Sequence, residues 1–241
     1  MTLIVPVAQY VDAGNFSSTG TPKTVSVTVA NGDDLIIIVS QSDYQQIPNT
    51  PTGGGLTYTS IVGINENISN LLNSVHIWKA HSNSAQTFTM SIGINPDNGL
   101  DWGFIVLRFS GVLAVGAEAD AQDSSGNTAP SVSLTTIAND SAIVMVVSNF
   151  YTMSSTRVYL QTGLTSFTES EFVSNSSFGA IVVGYYLEAG SSGAYTIGMT
   201  GGATTWAWIC VGIELKTTLP TVVIKQKSVQ SRAALVNAFT T

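Results

Sequence analysis

The sequence predicts an all-β protein: a jelly-roll-like antiparallel β-sandwich with internal pseudo-twofold duplication and an extended C-terminal arm. Three observations predict this fold class. Apolar residues recur with a period of two, turn-forming sequences separate short apolar runs, and the first half of the chain resembles the second. A period of two is typical of strands, because successive side chains of a strand point to opposite faces.

Two kinds of strand can be distinguished in order along the chain. SVTVA at 26–30 and TFTMSIGI at 87–94 alternate polar and apolar residues, which is typical of strands with one exposed face. A second set is apolar on both faces: LIIIV at 35–39, WGFIVLRF at 102–109, IVMVV at 143–147 and WAWICVGIEL at 206–215. We expect a partner sheet to cover one face of these strands, and loops or a neighbouring subunit to cover the other.

Turn signals lie between the apolar runs. NGDD, NTPTGGG, NPDNG, SSGN and GSSG supply residues that adopt positive φ or form side-chain-to-backbone turns. A helical pattern of apolar residues is confined to a short segment at 228–239. The spacing of turns predicts four or five strands in each half of the chain.

The duplication is visible at an offset of 108 residues, where 12–40 and 120–148 share nine identities in 29 positions. TVANGDDLIIIVS at 28–40 corresponds to TIANDSAIVMVVS at 136–148, and DWGFIVLRF at 101–109 corresponds to TWAWICVGI at 205–213. Chance similarity between Val/Ile-rich strands is the alternative, but matched loop residues such as Pro22/Pro130 weaken it. We therefore expect a body, 1–216, built from repeats 1–108 and 109–216, followed by an arm, 217–241.

Two arrangements of the repeats remain open. They could form two separate immunoglobulin-like sandwiches, or the two Greek-key halves of one jelly roll. Residues 109–131 match the start of the chain and leave almost nothing for a linker. This favours one sandwich with pseudo-twofold symmetry.

Composition and charge exclude several classes of function. Only 10% of residues are charged, and the body has fifteen acids against five bases, whereas the arm has Lys225, Lys227 and Arg232 and no acid. An acidic body argues against nucleic-acid binding, which needs a basic surface. The N-terminus lacks a basic stretch and the longest apolar run is too short to span a bilayer, so we expect a soluble protein made in a cytoplasm, without membrane binding.

Few residues suggest chemistry, and no enzymatic activity or cofactor is expected. His76 and His81 would lie on opposite faces of a strand about 16 Å apart, too far to share a metal ion. Glu169 and Glu171 could share a strand face as a carboxylate pair, but the neighbouring Thr and Ser residues favour an ordinary solvated strand. The acidic pairs Asp97/Asp101 and Asp120/Asp123 could interest Ca²⁺, but Asx turns explain them more simply. The single cysteine, Cys210, is expected in the core.

An aromatic row and the C-terminal arm are the strongest candidate binding features. Trp102, Phe104, Trp206 and Trp208 fall on one face of the two matched strands, with aliphatic residues on the other. If the aliphatic face is core, the aromatic face is an interface or a sugar-stacking surface, unless loops of the same chain cover it. In the arm, Val222, Val223, Ile224 and Lys225 can add as an edge strand, with Lys227 and Arg232 as further charges. Leu235 and Phe239 need an apolar surface to pack against.

The duplicated pattern ANGDDLIIIVS, GGGLTY, HIWKA and WGFIVLRFSGV, on a Ser/Thr/Gly-rich and cysteine-poor body with an extended terminus, resembles tailed-bacteriophage virion accessory proteins of the jelly-roll type, the head-decoration or cement proteins. The resemblance implies a structural virion protein on the phage head that stabilises the shell. It implies a homotrimer whose partners are its own copies and the major capsid protein. The alternative is a carbohydrate-binding or adhesin module of a phage tail or fibre, with Trp102 or Trp206 stacking on sugar.

Overall fold

A computed structural model describes residues 4–11, 22–42, 47–68, 71–94, 101–125, 128–150, 153, 156–160, 163–164, 167–174, 179–201 and 207–217. All regular secondary structure in these ranges is β, and every strand pairing is antiparallel. The all-β prediction is confirmed. The arm at 218–241, with the helix-like segment 228–239, lies outside the described residues.

Each repeat supplies its own set of strands. The first repeat contains β1 (Val5–Val11), β2 (Lys23–Val29), β3 (Asp33–Ser42), β4 (Tyr58–Ile68), β5 (Leu71–His81), β6 (Gln86–Ile92) and β7 (Asp101–Ser110). The second contains β8 (Ala114–Asp123), β9 (Ser131–Thr135), β10 (Ala142–Asn149), β11 (Val158–Tyr159), β12 (Thr168–Ser174), β13 (Ala180–Tyr186), β14 (Ala194–Gly201) and β15 (Trp208–Lys216).

The two repeats have the same sheet topology. Each has a five-stranded sheet, in the order β1-β7-β3-β5-β4 in the first repeat and β8-β15-β10-β13-β12 in the second. Each also has a small sheet, β2-β6 in the first repeat and β9-β14 with β11 added in the second. Strand for strand, the large sheets have identical order, so the duplication read from sequence is a duplication of fold.

A matched irregularity supports the same conclusion. The pairing of β4 with β5 shifts register between Ser60 and Val62, and the pairing of β12 with β13 shifts between Glu169 and Glu171. A β-bulge inserts one unpaired residue into a strand and bends it. Both copies therefore carry the same bulge in the same edge strand.

The structure corrects the predicted match between the last strands. Leu107 pairs with Ile36, and Ile213 pairs with Val144, the residue that corresponds to Ile36 at the offset of 108. Leu107 is therefore equivalent to Ile213, an offset of 106 rather than the predicted 104. In this register Trp102 corresponds to Trp208, not to Trp206.

The four sheets pack as successive layers around three apolar cores. The central core lies between the two five-stranded sheets and contains Ile36 and Ile38 from one and Val144 and Val146 from the other. A second core joins the first large sheet to β2-β6, and a third joins the other large sheet to β9-β14-β11. The two large sheets therefore face each other across the central core, and the small sheet of the same repeat covers the other face of each.

This layering explains why β3 is apolar on both faces. Ile36 and Ile38 contact the central core, while Leu35, Ile37 and Val39 contact the core under β2-β6. The second face is covered by the other repeat, not by the loops or neighbouring subunit expected from sequence. Fully burying one such side chain stabilises the fold by about 1.5–3 kcal/mol, so the central core binds the two repeats firmly together.

Candidate functional site

The aromatic row does not form an exposed surface. Trp102 and Phe104 are each 1% exposed and Trp208 is 3% exposed, while Trp206 lies outside the described residues. Trp102 and Phe104 pack in the core beneath β2-β6, where Lys23 Nζ donates to the Trp102 carbonyl oxygen at 2.5 Å. The predicted outward face was wrong for these three residues because each large sheet is covered on both sides.

The two histidines have separate structural partners. His76 is buried in β5, with its Nε2 atom 3.1 Å from Asn65 Oδ1, and burial lowers its pKa to about 4. A neutral, buried imidazole indicates that His76 is a packing residue of the body. His81 is more exposed, and its Nδ1 atom lies 3.2 Å from Asp34 Oδ2.

The carboxylates of Glu169 and Glu171 are not brought together as a pair. Glu169 accepts two hydrogen bonds from Arg157, from Nη2 at 2.6 Å and from Nε at 2.8 Å. Glu171 instead accepts hydrogen bonds from Gln9 Nε2 at 2.8 Å, on β1 of the first repeat, and from the backbone N–H of Phe172 at 3.1 Å. The shared strand face expected from their spacing is lost because the β12 bulge lies between them.

The Asx-turn interpretation is confirmed at Asp123. Its carboxylate accepts hydrogen bonds from the backbone N–H and hydroxyl of both Ser125 and Thr128, and these bonds lower the pKa of Asp123. Asp97 and the Asp101 side chain lie outside the described part of the chain. Across the residues that are described, no group of three or more His, Cys, Asp or Glu side chains is placed to hold a metal ion.

Cys210 lies fully buried in the core of the second repeat, as predicted, and burial raises the pKa of its thiol. Nothing in the described ranges is a helix long and apolar enough to cross a membrane.

A buried carboxylate that the sequence reading missed secures the turn at 136–141. Glu214, on β15, accepts hydrogen bonds from the backbone N–H of Ala117 at 2.8 Å and of Ala138 at 2.9 Å. Ile137 N–H donates to the same carboxylate at 3.1 Å and the Ser141 hydroxyl at 2.7 Å. Burial alone would raise the pKa of Glu214, but these hydrogen bonds outweigh it and lower the pKa. The sequence signal that could have identified Glu214 is the presence of an acidic residue within the otherwise apolar run WICVGIEL.

The equivalent turn of the first repeat is also held by a carboxylate, but this carboxylate belongs to Asp33 and is paired with an arginine on the last strand. Arg108 occupies the strand position equivalent to Glu214, since Arg108 pairs with Leu35 and Glu214 with Ile143. Arg108 Nε donates to Asp33 Oδ2 at 2.5 Å, and that oxygen also accepts from Ala30 N–H at 2.6 Å. In both repeats a carboxylate therefore binds the N–H of the matched alanine, Ala30 or Ala138.

A pair of matched serines meets between the two repeats. Ser40 and Ser148 are 108 residues apart, and their hydroxyl oxygens lie 2.7 Å from each other. The Ser148 hydroxyl also donates to Asn73 Oδ1 at 2.9 Å, and all three side chains are buried. Matched residues of the two repeats therefore meet directly at this contact.

The described outer surface offers two further features. One is a polar depression of about 390 Å³, lined by Gly54, Leu56, Lys79, Asn83 and Gln86 among others. The other is the set of strands that end the two large sheets: β1, β4, β8 and β12. Sheet edges expose backbone groups that can pair with another chain. All eight candidate residues of the arm lie outside the described residues.

The fold and contacts define the class of this protein: an all-β, jelly-roll-like protein whose antiparallel sheets pack as a sandwich. Comparisons with protein-family models, with curated proteins and with solved structures find no match to the chain.

Proposed function

We propose that the chain is a structural virion protein, a decoration or cement protein on the head of a tailed bacteriophage. In this role copies associate with one another, as a homotrimer, and with the major capsid protein. Its action is mechanical and needs neither a catalytic residue nor a cofactor.

The observation that carries this proposal is the separation of charge between the duplicated body and the arm that has no counterpart in either repeat. Residues 1–216 contain fifteen acids and five bases, a net charge of −10, whereas 217–241 contain three bases and no acid, a net charge of +3. Opposite charges on body and arm favour contact between copies and disfavour contact between two bodies. A basic arm can therefore select an acidic surface on a neighbour.

The layered body suits a mechanical role. Its three cores use aliphatic and aromatic residues from every sheet, and β10 and β15 are buried along their whole length. Tightly packed interiors are rigid and transmit load. Weak contacts repeated over a lattice then add up, because each additional contact forms between partners that are already held close.

Removal of residues 219–241 tests the proposal. We expect the shortened chain to keep the body's folded far-ultraviolet signal and cooperative unfolding, and to lose self-association in sedimentation. An antibody raised against residues 1–216 should label the heads of phage particles isolated from the source lysate. A shortened chain that still associates and still decorates heads would overturn the proposal.

A carbohydrate-binding adhesin is the second candidate, and the polar depression beside the 53–55 glycines is the observation that favours it. Lys79 and Asn83 there offer donors to sugar hydroxyls, and Leu56 offers an apolar surface. Glycan-array binding that is lost on Lys79→Ala and Asn83→Ala, with labelling at tails instead of heads, would support this candidate over decoration.

A further inference from the structure

The outer edge of β8 is a regular, unpaired strand edge within the described structure. β8 is the last strand of its sheet, and from Glu118 to Asp123 it pairs residue for residue with β15, from Ile213 back to Trp208. Its register irregularity lies beyond this stretch, between Ile213 and Leu215. An extended peptide can add to such an edge through backbone hydrogen bonds.

The same six residues present an acidic face. Glu118 and Asp120 are two residues apart, so they lie on one face of the strand, and both are exposed. The alternate residues Ala119 and Ala121 are small, partly buried side chains beside the core of the second repeat. β8 contains no basic residue.

The other large-sheet edges are less suited to receive a basic strand. β1 contains Pro6, which has no N–H to donate, and its pairing shifts register between Pro6 and Ala8. β4 contains a single acid, Glu66, and β12 carries a bulge between its two acids. The acids of β12 are already bonded, Glu169 to Arg157 and Glu171 to Gln9.

The segment TVVIKQK at 221–227 complements β8 in shape and charge. Its Val and Ile residues favour an extended strand, and Lys225 and Lys227 are two residues apart, like the two acids. In an antiparallel pairing that places Lys225 opposite Asp120, Lys227 falls opposite Glu118. Ile224 then lies opposite Ala121, which packs beside the core of the second repeat.

We propose that residues 221–227 of one copy add as an antiparallel strand to β8 of a second copy, with Lys225 opposite Asp120 and Lys227 opposite Glu118. This inference rests on the proposed assembly function and names the surface that the arm binds. Opposite charges placed directly across a strand pair stabilise it, whereas like charges destabilise it.

The length of the chain argues that the acceptor is a second copy. In this register Val223 lies opposite Gln122, which pairs on its other side with Ile209. Thr217 is eight residues beyond Ile209 along β15, a distance of about 26 Å. Six residues from Thr217 to Val223 span at most about 21 Å even when fully extended, so the same copy's arm falls short.

Carbodiimide cross-linking of the full-length protein tests the pairing directly. Copies labelled with ¹⁵N are mixed with unlabelled copies, and cross-linked peptides are identified by mass spectrometry. We expect links from Lys225 or Lys227 to Glu118 or Asp120, with half of them joining a labelled to an unlabelled chain. Links confined to one chain would overturn the proposal.

Charge reversal supplies the quantitative test. Glu118→Lys with Asp120→Lys should weaken self-association about tenfold or more, and so should Lys225→Glu with Lys227→Glu. Combining all four substitutions should restore association. Glu188→Lys, at an exposed site outside every strand, is the control that changes charge without touching β8.

The outcomes separate this inference from the proposed function. If the protein associates and needs residues 219–241, but neither charge reversal changes the affinity, the β8 assignment is wrong and the assembly function stands. If the full-length protein does not associate and does not mark phage heads, both are wrong.

Discussion

The buried carboxylate of Glu214 allows a stringent test of how the second repeat holds its turn. In Glu214→Gln the side chain keeps its shape but exchanges one acceptor oxygen for an NH₂ group. Each carboxylate oxygen accepts at least two hydrogen bonds: Oε1 from Ala138 and Ser141, and Oε2 from Ala117 and Ile137. In either orientation of the amide, its NH₂ group therefore faces N–H or O–H donors from which it cannot accept a hydrogen bond.

The magnitude follows from these contacts. A hydrogen bond to a charged group contributes about 1.5–3 kcal/mol, and a buried donor left unpaired costs about 1–3 kcal/mol. Water can reach Ile137, which is 63% exposed, so part of the loss is recovered. We expect Glu214→Gln to lower the free energy of unfolding by about 2–3 kcal/mol, equivalent to about 4–12 °C in Tm for a chain of this size.

The loss of stability caused by Glu214→Gln should depend on pH. Because the folded-state pKa of Glu214 is lowered, its contribution is fully present above the unfolded-state pKa and disappears as pH falls through the folded-state pKa. Urea unfolding of wild type and Glu214→Gln, measured from about pH 7 to about pH 3, should therefore show a difference in the free energy of unfolding that becomes smaller at the acidic end. Glu188→Gln, an exposed acid, is the matched control, with an expected change within about 0.5 kcal/mol.

Equal stability of Glu214→Gln and wild type near neutral pH would refute this account of the turn. Gly116→Ala provides an independent check, because a Cβ atom at Gly116 would collide with the Glu214 carboxylate. It should destabilise wild type more than it destabilises Glu214→Ala, which lacks the colliding atoms, and equal effects would contradict the packing described.

Three further predictions concern the core and the joint between repeats. In a double-mutant cycle, Ser40→Ala and Ser148→Ala should show a coupling of about 1 kcal/mol in urea unfolding, and additive effects would mean that the two hydroxyls do not interact. Trp102→Ala should lower the free energy of unfolding by about 3–5 kcal/mol, and a nearly neutral change would indicate an exposed ring. The pKa of His76 is lowered to about 4 in the folded state, so wild type should lose stability as pH falls from about 6.5 to about 4, because only the unfolded chain gains the proton. His76→Gln should remove that part of the pH dependence, and an unchanged slope would contradict the burial of the ring.

The all-β class and the positions of several strands were predictable because they depend on local chemistry, but the predicted four or five strands per half are too few, since the structure describes seven in the first repeat and eight in the second. Alternation in SVTVA identified β2, and the apolar runs LIIIV and IVMVV identified β3 and β10. Turn residues marked the breaks, as at Gly32, which has a φ of 86°. Each of these signals resides within a few residues of the feature that it predicts.

The candidate site was less predictable because burial depends on which faces meet. A strand that is apolar on both faces does not state what covers either face, so Trp102 was assigned to an outward row although β2-β6 covers it. The spacing of Glu169 and Glu171 suggested a shared face, but a bulge, which depends on pairing with β13, separated them. Glu214 escaped notice because its partners lie about 75 and 100 residues away along the chain.

By itself, the sequence determined that the chain is all-β, that its two halves resemble each other, and that the segment outside the copies is basic whereas the copies are acidic. These properties follow from the periodicity of the apolar residues, from the internal repeat and from the distribution of charged residues along the chain. Only the tertiary structure decided that the large sheets meet face to face, that the hydroxyls of Ser40 and Ser148 lie against each other, and that Glu118 and Asp120 are exposed on the last strand of their sheet. Contacts between residues distant in sequence depend on how whole faces pack, and no local pattern encodes that geometry.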